Sequence, residues 1–170
     1  MKDTYNINYF IDTINEVLKE PQVHKMDNFF HHGNITTLSH CISVAYYSYI
    51  MAINCPFKVN VRSVIIGAML HDFYLYDWHD KNKEINWHGF RHPKIALTNA
   101  QKYFNLNEIE KDIILRHMWP LTIIPPKYLE SFIVSAADKT VTVMETFKLF
   151  NKKFLMVNKR LALINSIDIT

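Results

Sequence analysis

The chain has 170 residues, of which 49% are hydrophobic and 21% are charged, and its net charge at pH 7 is +3. This composition excludes a disordered chain and predicts a single globular domain over residues 1–170. Because the charges are few and mixed in sign, we expect no stable nucleic-acid or membrane partner.

Apolar residues at spacings of three and four recur along most of the chain, and this period is typical of amphipathic helices. No stretch has the sustained alternation of a strand, so we predict an all-α, single-domain helical bundle. The predicted helices run from Ile7 to Leu18, from Thr36 or Thr37 to about Asn54, from Asn60 to His71, from Pro93 to Phe104, from Asn107 to His117 and from Lys127 to Lys148.

Two stretches lack this period, and the structure of a third stays open. Residues 21–34 and 73–91 are predicted loops, and the second is long enough to serve a function. Residues 150–170 form a C-terminal tail, for which a docked helix and a frayed one both stay open. Asn107 followed by Glu110 has the spacing of a capping box, which marks a helix start.

Two further features bear on the cellular setting. The first ten residues lack the basic start and apolar run of a signal peptide, and no apolar run reaches the roughly 20 residues of a membrane span. Cys41 and Cys55 are too few for a disulfide framework and form no CxxC pair, so we interpret them as reduced thiols. We therefore expect a cytoplasmic protein.

A His-Asp pair occurs twice in the stretch GAMLHDFYLYDWHD. The first pair, His71 and Asp72, closes an apolar helix, which places both side chains where the interior meets a cleft. A buried carboxylate needs a partner that offsets its desolvation, and a divalent cation is one such partner. The second pair, His79 and Asp80, lies in a polar loop, so we expect it to be solvated.

Four more side chains of metal-ligand type are predicted to lie on inward helix faces or at helix starts: His40, His92, His117 and Asp138. Taken singly, an inward histidine is more often a hydrogen-bonded core residue than a ligand. The convergence of six such groups is hard to explain by packing, so we predict a metal centre. Imidazole and carboxylate ligands suit Fe, Mn, Co, Ni or Zn, and we expect one or two such ions.

The order of these residues resembles the HD-domain superfamily of metal-dependent phosphohydrolases, in the version with two additional histidines. The resemblance covers about residues 31–145, including a His-Pro pair that opens a helix and an Asp in SAADK. It implies a helical bundle with a binuclear centre. The implied ligands of the first ion are His40, His71, Asp72 and Asp138. Those of the second are His92 and His117, with Asp72 bridging.

The resemblance also implies hydrolysis of a phosphate ester by water that the ions acidify to hydroxide. His71 and Asp72 are then the candidate catalytic residues, and the substrate is a small phosphorylated metabolite, with a nucleotide as one candidate. From their places beside ligands, Arg91 and Lys139 are candidates to hold phosphate oxygens, and His88 is a candidate proton donor. An ordinary surface position is the competing interpretation of all three.

Several alternatives stay open. A related subgroup with the same ligand order uses a di-iron pair as an oxygenase, and a non-catalytic, metal-binding regulatory domain would keep the same ligands. Phe73 and Tyr74 follow the dyad where many relatives carry a small pair, so we expect the loop after the dyad to select the substrate. His31 and His32 lie either at the pocket rim or in an ordinary loop, and a homo-oligomer is compatible with the sequence.

Overall fold

A computed structural model gives the fold, and it describes residues 6–33, 35–76 and 88–149 together with Met156 and Leu161. The side chains of His32 and His88 are outside this description. The second His-Asp pair at 79 and 80 and most of the tail also lie outside the described residues, so the expectations for them stay predictions.

Helices dominate the described residues, which confirms the predicted all-α class. The helices are α1 (Ile7–Leu18), α2 (Pro21–His24), α3 (Thr37–Asn54), α4 (Val61–Leu70), α5 (His88–Tyr103), α6 (Glu108–Arg116) and α7 (Leu129–Thr146). Two short strands, β1 (Phe30–His32) and β2 (Ile35–Thr36), form an antiparallel ladder between α2 and α3.

Side-chain caps fix the starts of three helices that carry the candidate site. Thr36 at the start of α3 and Asn60 at the start of α4 each accept a hydrogen bond from the backbone N–H three residues later. At the start of α6, Asn107 and Glu110 form a capping box. These bonds satisfy N–H groups that a helix start leaves without partners. The helix starts predicted at these positions are confirmed.

Two of the predicted loops are partly wrong. Residues 21–34 contain α2, a 3-10 turn at Lys25–Asn28 and β1, and elements this short cannot show a helical period. α5 begins at His88, so Pro93 stands inside the helix and not in its first turn. Residues 88–91 were assigned to the loop because proline normally stands in the first turn of a helix. α7 is also shorter than predicted, by two residues at each end.

The core forms around α3, which packs mainly against α4 and α7. Tyr46 and Tyr49 on α3 are 2% and 1% exposed, and Phe10 on α1 meets the ring of Tyr46 edge-on at 5.7 Å. These tyrosines therefore serve packing. None of the described helices is long and apolar enough to cross a membrane.

α4 and α6 approach each other closely at Gly67. A Cβ atom built on Gly67 would lie 2.7 to 2.9 Å from three side-chain atoms of Ile113 on α6. Glycine therefore permits a helix separation that no larger residue allows without a shift. Gly67 and Ile113 each stand four residues, about one turn, before His71 and His117. The contact thus draws together the two helix ends that carry these histidines.

Candidate metal centre

The six side chains that the sequence singled out are buried and meet in one place. They come from α3, α5 and α7 and from the residues that end α4 and α6. Their exposed fractions are 0% for His40 and His71, 1% for His117, 4% for Asp72 and His92, and 8% for Asp138. Burial of so many polar groups costs free energy unless each finds a partner, so their contacts decide what the cluster can do.

Asp72 lies at the middle of the cluster, and its two carboxylate oxygens face different groups. Oδ1 lies 3.2 Å from Nε2 of His92 and 3.5 Å from Nε2 of His117. Oδ2 lies 3.6 Å from Nε2 of His71 and 3.2 Å from Nε2 of His31. The Nε2 atoms of His92 and His117 are 2.8 Å apart. Asp72 therefore lies near four imidazoles, two at each carboxylate oxygen.

Asp138 completes the group on the Oδ2 side of Asp72. Its Oδ1 lies 3.2 Å from Nε2 of His40 and 3.8 Å from Nε2 of His71. One donor atom each from His40, His71 and Asp138 lies within 4.8 Å of the other two, and the same holds for His71, Asp72 and His117. These separations are close to those of ligands around one or two ions.

The ends of α4 and α6 orient two of the imidazoles. His71 ends α4 and donates from Nδ1 to the carbonyl of Ala68 at 2.7 Å, and His117 ends α6 and donates from Nδ1 to the carbonyl of Ile114 at 2.9 Å. A helix end leaves such carbonyls without backbone partners, so each bond is favourable locally. Both rings consequently turn an Nε2 lone pair toward the cluster.

Two buried atoms of the cluster test whether a metal fits. Nε2 of His71 and Oδ1 of Asp72 make no hydrogen bond within the part of the chain that the structure describes. A buried acceptor without a donor is costly, and bound divalent cations at these atoms would remove that cost. The buried histidines and aspartates therefore fit a metal ion.

The protonation states of His117, Asp72 and Asp138 also favour cation binding. Burial and the nearby charge of His71 lower the pKa of His117 to about 3, so its ring is neutral at pH 7. Burial alone would raise the pKa of Asp72, but the neighbouring imidazoles, first that of His71, hold it well below its usual range. Burial likewise opposes ionisation of Asp138, and the hydrogen bond from His40 outweighs it, so its pKa is lowered. Neutral imidazole and ionised carboxylate are the forms that bind metals.

Glu145 is part of the cluster, although no sequence pattern assigned it a role. Its Oε2 lies 2.8 Å from Nδ1 of His40, and the residue is only 4% exposed. Burial lowers the pKa of His40, but the hydrogen bonds to Asp138 and Glu145 outweigh it and raise the pKa to about 10. Metal-binding histidines commonly donate their second N–H to a carboxylate. The available signal was an acidic residue two helical turns after Asp138 on the same buried face.

His31 is the second residue that the sequence did not assign. Its ring stacks on that of His40, with centroids 3.8 Å apart and an angle of 13° between the planes. His31 lies on β1, so the interpretation of this segment as an ordinary loop is wrong. Of the two positions that stayed open for it, the rim of the pocket is the one it occupies.

A cavity of about 460 Å³ opens beside the cluster. Its walls combine cluster residues with one lysine, one threonine and three apolar residues: His31, Asp72, His92, His117, Asp138, Lys139, Thr142, Met118, Leu121 and Val143. A volume of this order suits a small-molecule ligand.

The three residues predicted to hold substrate have different positions. Lys139 lines the cavity, and its ammonium donates to the carbonyl of His117 at 3.0 Å and to both oxygens of Ser135. Arg91 is exposed and lines a separate shallow pocket on α5, not the cavity beside the cluster. The side chain of His88 is outside the described residues. Their roles in substrate binding stay predictions.

The protein is thus an all-α domain with a buried cluster of histidines and aspartates that could hold metal ions. The sequence model of the HD domain family matches residues 37–142, which is more than half of the chain. The chain therefore belongs to the HD domain family, whose members are commonly metal-dependent hydrolases. Neither the curated proteins nor the solved structures include a significant match to the chain.

Proposed function

We propose that the protein is a metal-dependent phosphohydrolase that cleaves a small phosphate ester. The observation that carries this proposal is a pair of buried atoms, Nε2 of His71 and Oδ1 of Asp72, that make no hydrogen bond among the described residues and belong to a cluster that lines a cavity of about 460 Å³. A cation-binding cluster that opens onto a ligand-sized cavity is the arrangement that metal-assisted hydrolysis requires.

Two sets of donors would hold two ions, drawn from Fe, Mn, Co, Ni or Zn. The first set consists of His40, His71, Asp138 and Oδ2 of Asp72, and the second of His92, His117 and Oδ1 of Asp72. When bound, such ions would supply an acidified water molecule and neutralise charge on phosphate oxygens. The water molecule and the phosphate oxygens both need open coordination positions. The second set would leave such positions because it supplies only three protein ligands.

The protein side chains would orient this chemistry. The bonds to the carbonyls of Ala68 and Ile114 fix the rings of His71 and His117, and Glu145 fixes the ring of His40. Fixed rings preserve the ligand geometry during turnover, which is the usual role of such outer hydrogen bonds. The predicted catalytic role of His71 and Asp72 is then to position the attacking water and the phosphate.

The cavity supports a substrate whose phosphate carries an apolar or aromatic group. Met118, Leu121 and Val143 supply apolar surface to the cavity, and Lys139 adds a positive charge to its lining. An apolar surface of this kind would contact the body of the ester while the phosphate faces the cluster. A nucleotide, with its base against the apolar wall, is one candidate.

Metal analysis followed by a substrate screen tests the proposal. The parent protein, loaded with Mn, Co or Zn, is expected to hold two ions per chain and to release phosphate from members of a phosphate-ester panel under anaerobic conditions. Asp72→Ala should lose both ions, and His117→Ala should empty mainly the second position. Unchanged metal content in both variants would contradict the centre itself.

The same screen separates the two alternative functions. Oxygen consumption by the iron-loaded protein, without phosphate release, would identify an oxygenase. Two bound ions without either activity would favour a regulatory metal-binding domain. Each outcome contradicts the phosphohydrolase and leaves the metal centre intact.

A further inference from the structure

His31 is an additional histidine at the candidate metal centre, outside the six residues that the sequence pattern assigns. Its Nε2 lies 3.2 Å from Oδ2 of Asp72, and its ring stacks on that of His40. We propose that His31 is a fifth protein ligand of the first metal position, beside His40, His71, Asp72 and Asp138. This proposal rests on the metal centre of the proposed function and adds a residue to it.

The side of Asp72 on which His31 lies decides the position it would serve. Oδ1 faces His92 and His117, whereas Oδ2 faces His71 and His31. One donor atom each from His31, His40 and Asp72 lies within 4.8 Å of the other two. Two ligands on opposite sides of one ion, with bonds near 2.1 Å, are about 4.2 Å apart, so a small side-chain movement brings these donors onto one ion.

The local backbone holds His31 in this place. β1 pairs with β2 through Phe30 and Thr36, and the backbone N–H of Thr37 donates to the carbonyl of Phe29 at 2.8 Å. The hydroxyl of Thr36 donates to Asp27 at 2.7 Å. This short ladder is therefore anchored on the first turn of α3, the helix that carries His40. A ligand held on a fixed strand loses less freedom on binding than one on an open loop.

His31 differs from the other imidazoles in its exposure. Its side chain is 21% exposed and lines the cavity, whereas those of His40 and His71 are 0% exposed. As a ligand it would close the first position on the cavity side. The first position would then have three nitrogen and two oxygen donors and a single open site, whereas the second would keep several. We therefore expect the first ion to be held more tightly and the second to exchange more readily.

The competing role for His31 is a hydrogen bond that only orients Asp72. His31→Gln separates the two roles, because the glutamine amide can still donate to Asp72 but is a poor metal ligand. His31→Ala removes both the ligand and the hydrogen bond. His24→Gln is the matched control, since His24 bonds to the carbonyl of Leu18 at 2.7 Å and belongs to none of the metal-type groups within the described residues.

The experiment loads each full-length variant with one equivalent of Co²⁺ and records its visible absorption and its affinity by chelator competition. His31→Gln and His31→Ala are both expected to weaken binding by at least about tenfold, because even outer partners of ligands contribute 10–100-fold to metal affinity. Both should also change the Co²⁺ absorption bands, and His24→Gln should change neither. Unfolding curves in EDTA that match the parent would show that the variants are folded.

Two results would overturn the inference in distinguishable ways. If His31→Gln keeps the affinity and the spectrum of the parent while Asp72→Ala loses the metal, His31 is not a ligand and the metal centre stands. If Asp72→Ala also keeps its metal, the centre and the proposed function fail together with the role of His31.

Discussion

Replacement of Gly67 by alanine tests the link between helix packing and the candidate site. The added Cβ would meet Cδ1, Cγ2 and Cβ of Ile113 at 2.7, 2.8 and 2.9 Å, whereas ordinary contact begins at 3.4 Å. Rotation of the Ile113 side chain can move Cδ1 and Cγ2 but not Cβ, which is attached to the backbone. Part of the overlap must therefore be relieved by separation of α4 from α6.

Two opposing effects determine how much Gly67→Ala changes the free energy of unfolding. Overpacking of a core costs about 1–3 kcal/mol, and the better helix propensity of alanine returns about 1 kcal/mol. We expect Gly67→Ala to lower the free energy of unfolding by about 1–2 kcal/mol, since the overlap includes a backbone-anchored atom. For a chain of this size the expected fall in Tm is about 2–8 °C. Urea and thermal unfolding of the metal-free protein measure both.

A double-mutant cycle with Ile113→Val supplies the control. Valine lacks Cδ1, the atom nearest to the new Cβ, and by itself costs only about 0.5–1.5 kcal/mol. Gly67→Ala should therefore cost less in the Ile113→Val background, with a coupling energy of about 0.5 kcal/mol or more. An unfolding free energy equal to that of the parent, or an equal loss in both backgrounds, would refute the reasoning.

Three further predictions concern single groups. Glu145→Gln removes the charge behind His40, so metal affinity should fall by about 10–100-fold in chelator competition, and an unchanged Kd would contradict this role. Because the pKa of His40 is raised to about 10, the metal-free ring carries a proton at pH 7 that a metal must displace. Affinity should therefore rise from pH 6 to pH 9, and calorimetry in buffers of different ionisation enthalpy should detect proton release. Cys41 is fully buried and its thiol pKa is raised, first by burial, so iodoacetamide should modify Cys55 and leave Cys41 intact in the native protein.

The sequence predicted the helices whose starts are encoded by nearby residues. Thr36, Asn60 and the pair Asn107 and Glu110 each act within four residues of themselves, so the pattern contains the whole signal. The start of α5 was missed because Pro93 normally marks a first turn, and here it stands further inside. The short ladder β1–β2 was missed because strands of 3 and 2 residues are too short to show an alternating pattern.

The candidate site shows the same difference between signals that lie close together in sequence and contacts that form only in the folded chain. The order of the histidines and aspartates could be read along the chain, and the structure places those six side chains together; their role as ligands stays a prediction. Glu145 and His31 could not be assigned because each acts through a residue far away in sequence, His40 for the first and Asp72 for the second. Only packing of α3 against α7, and of the ladder against α3, brings these pairs into contact.

The geometry of two helix ends explains why a cation, and not an anion, suits this cluster. α4 and α6 both end at the cluster, and the rings of His71 and His117 that terminate them lie 4.8 Å apart. A helix C-terminus carries a partial negative charge of about half an electron, so both ends add to the charge of Asp72 and Asp138. The contact at Gly67 brings these ends together one turn earlier in each helix. Two helix C-termini and two ionised carboxylates therefore add negative charge at the place where the metal-type side chains converge.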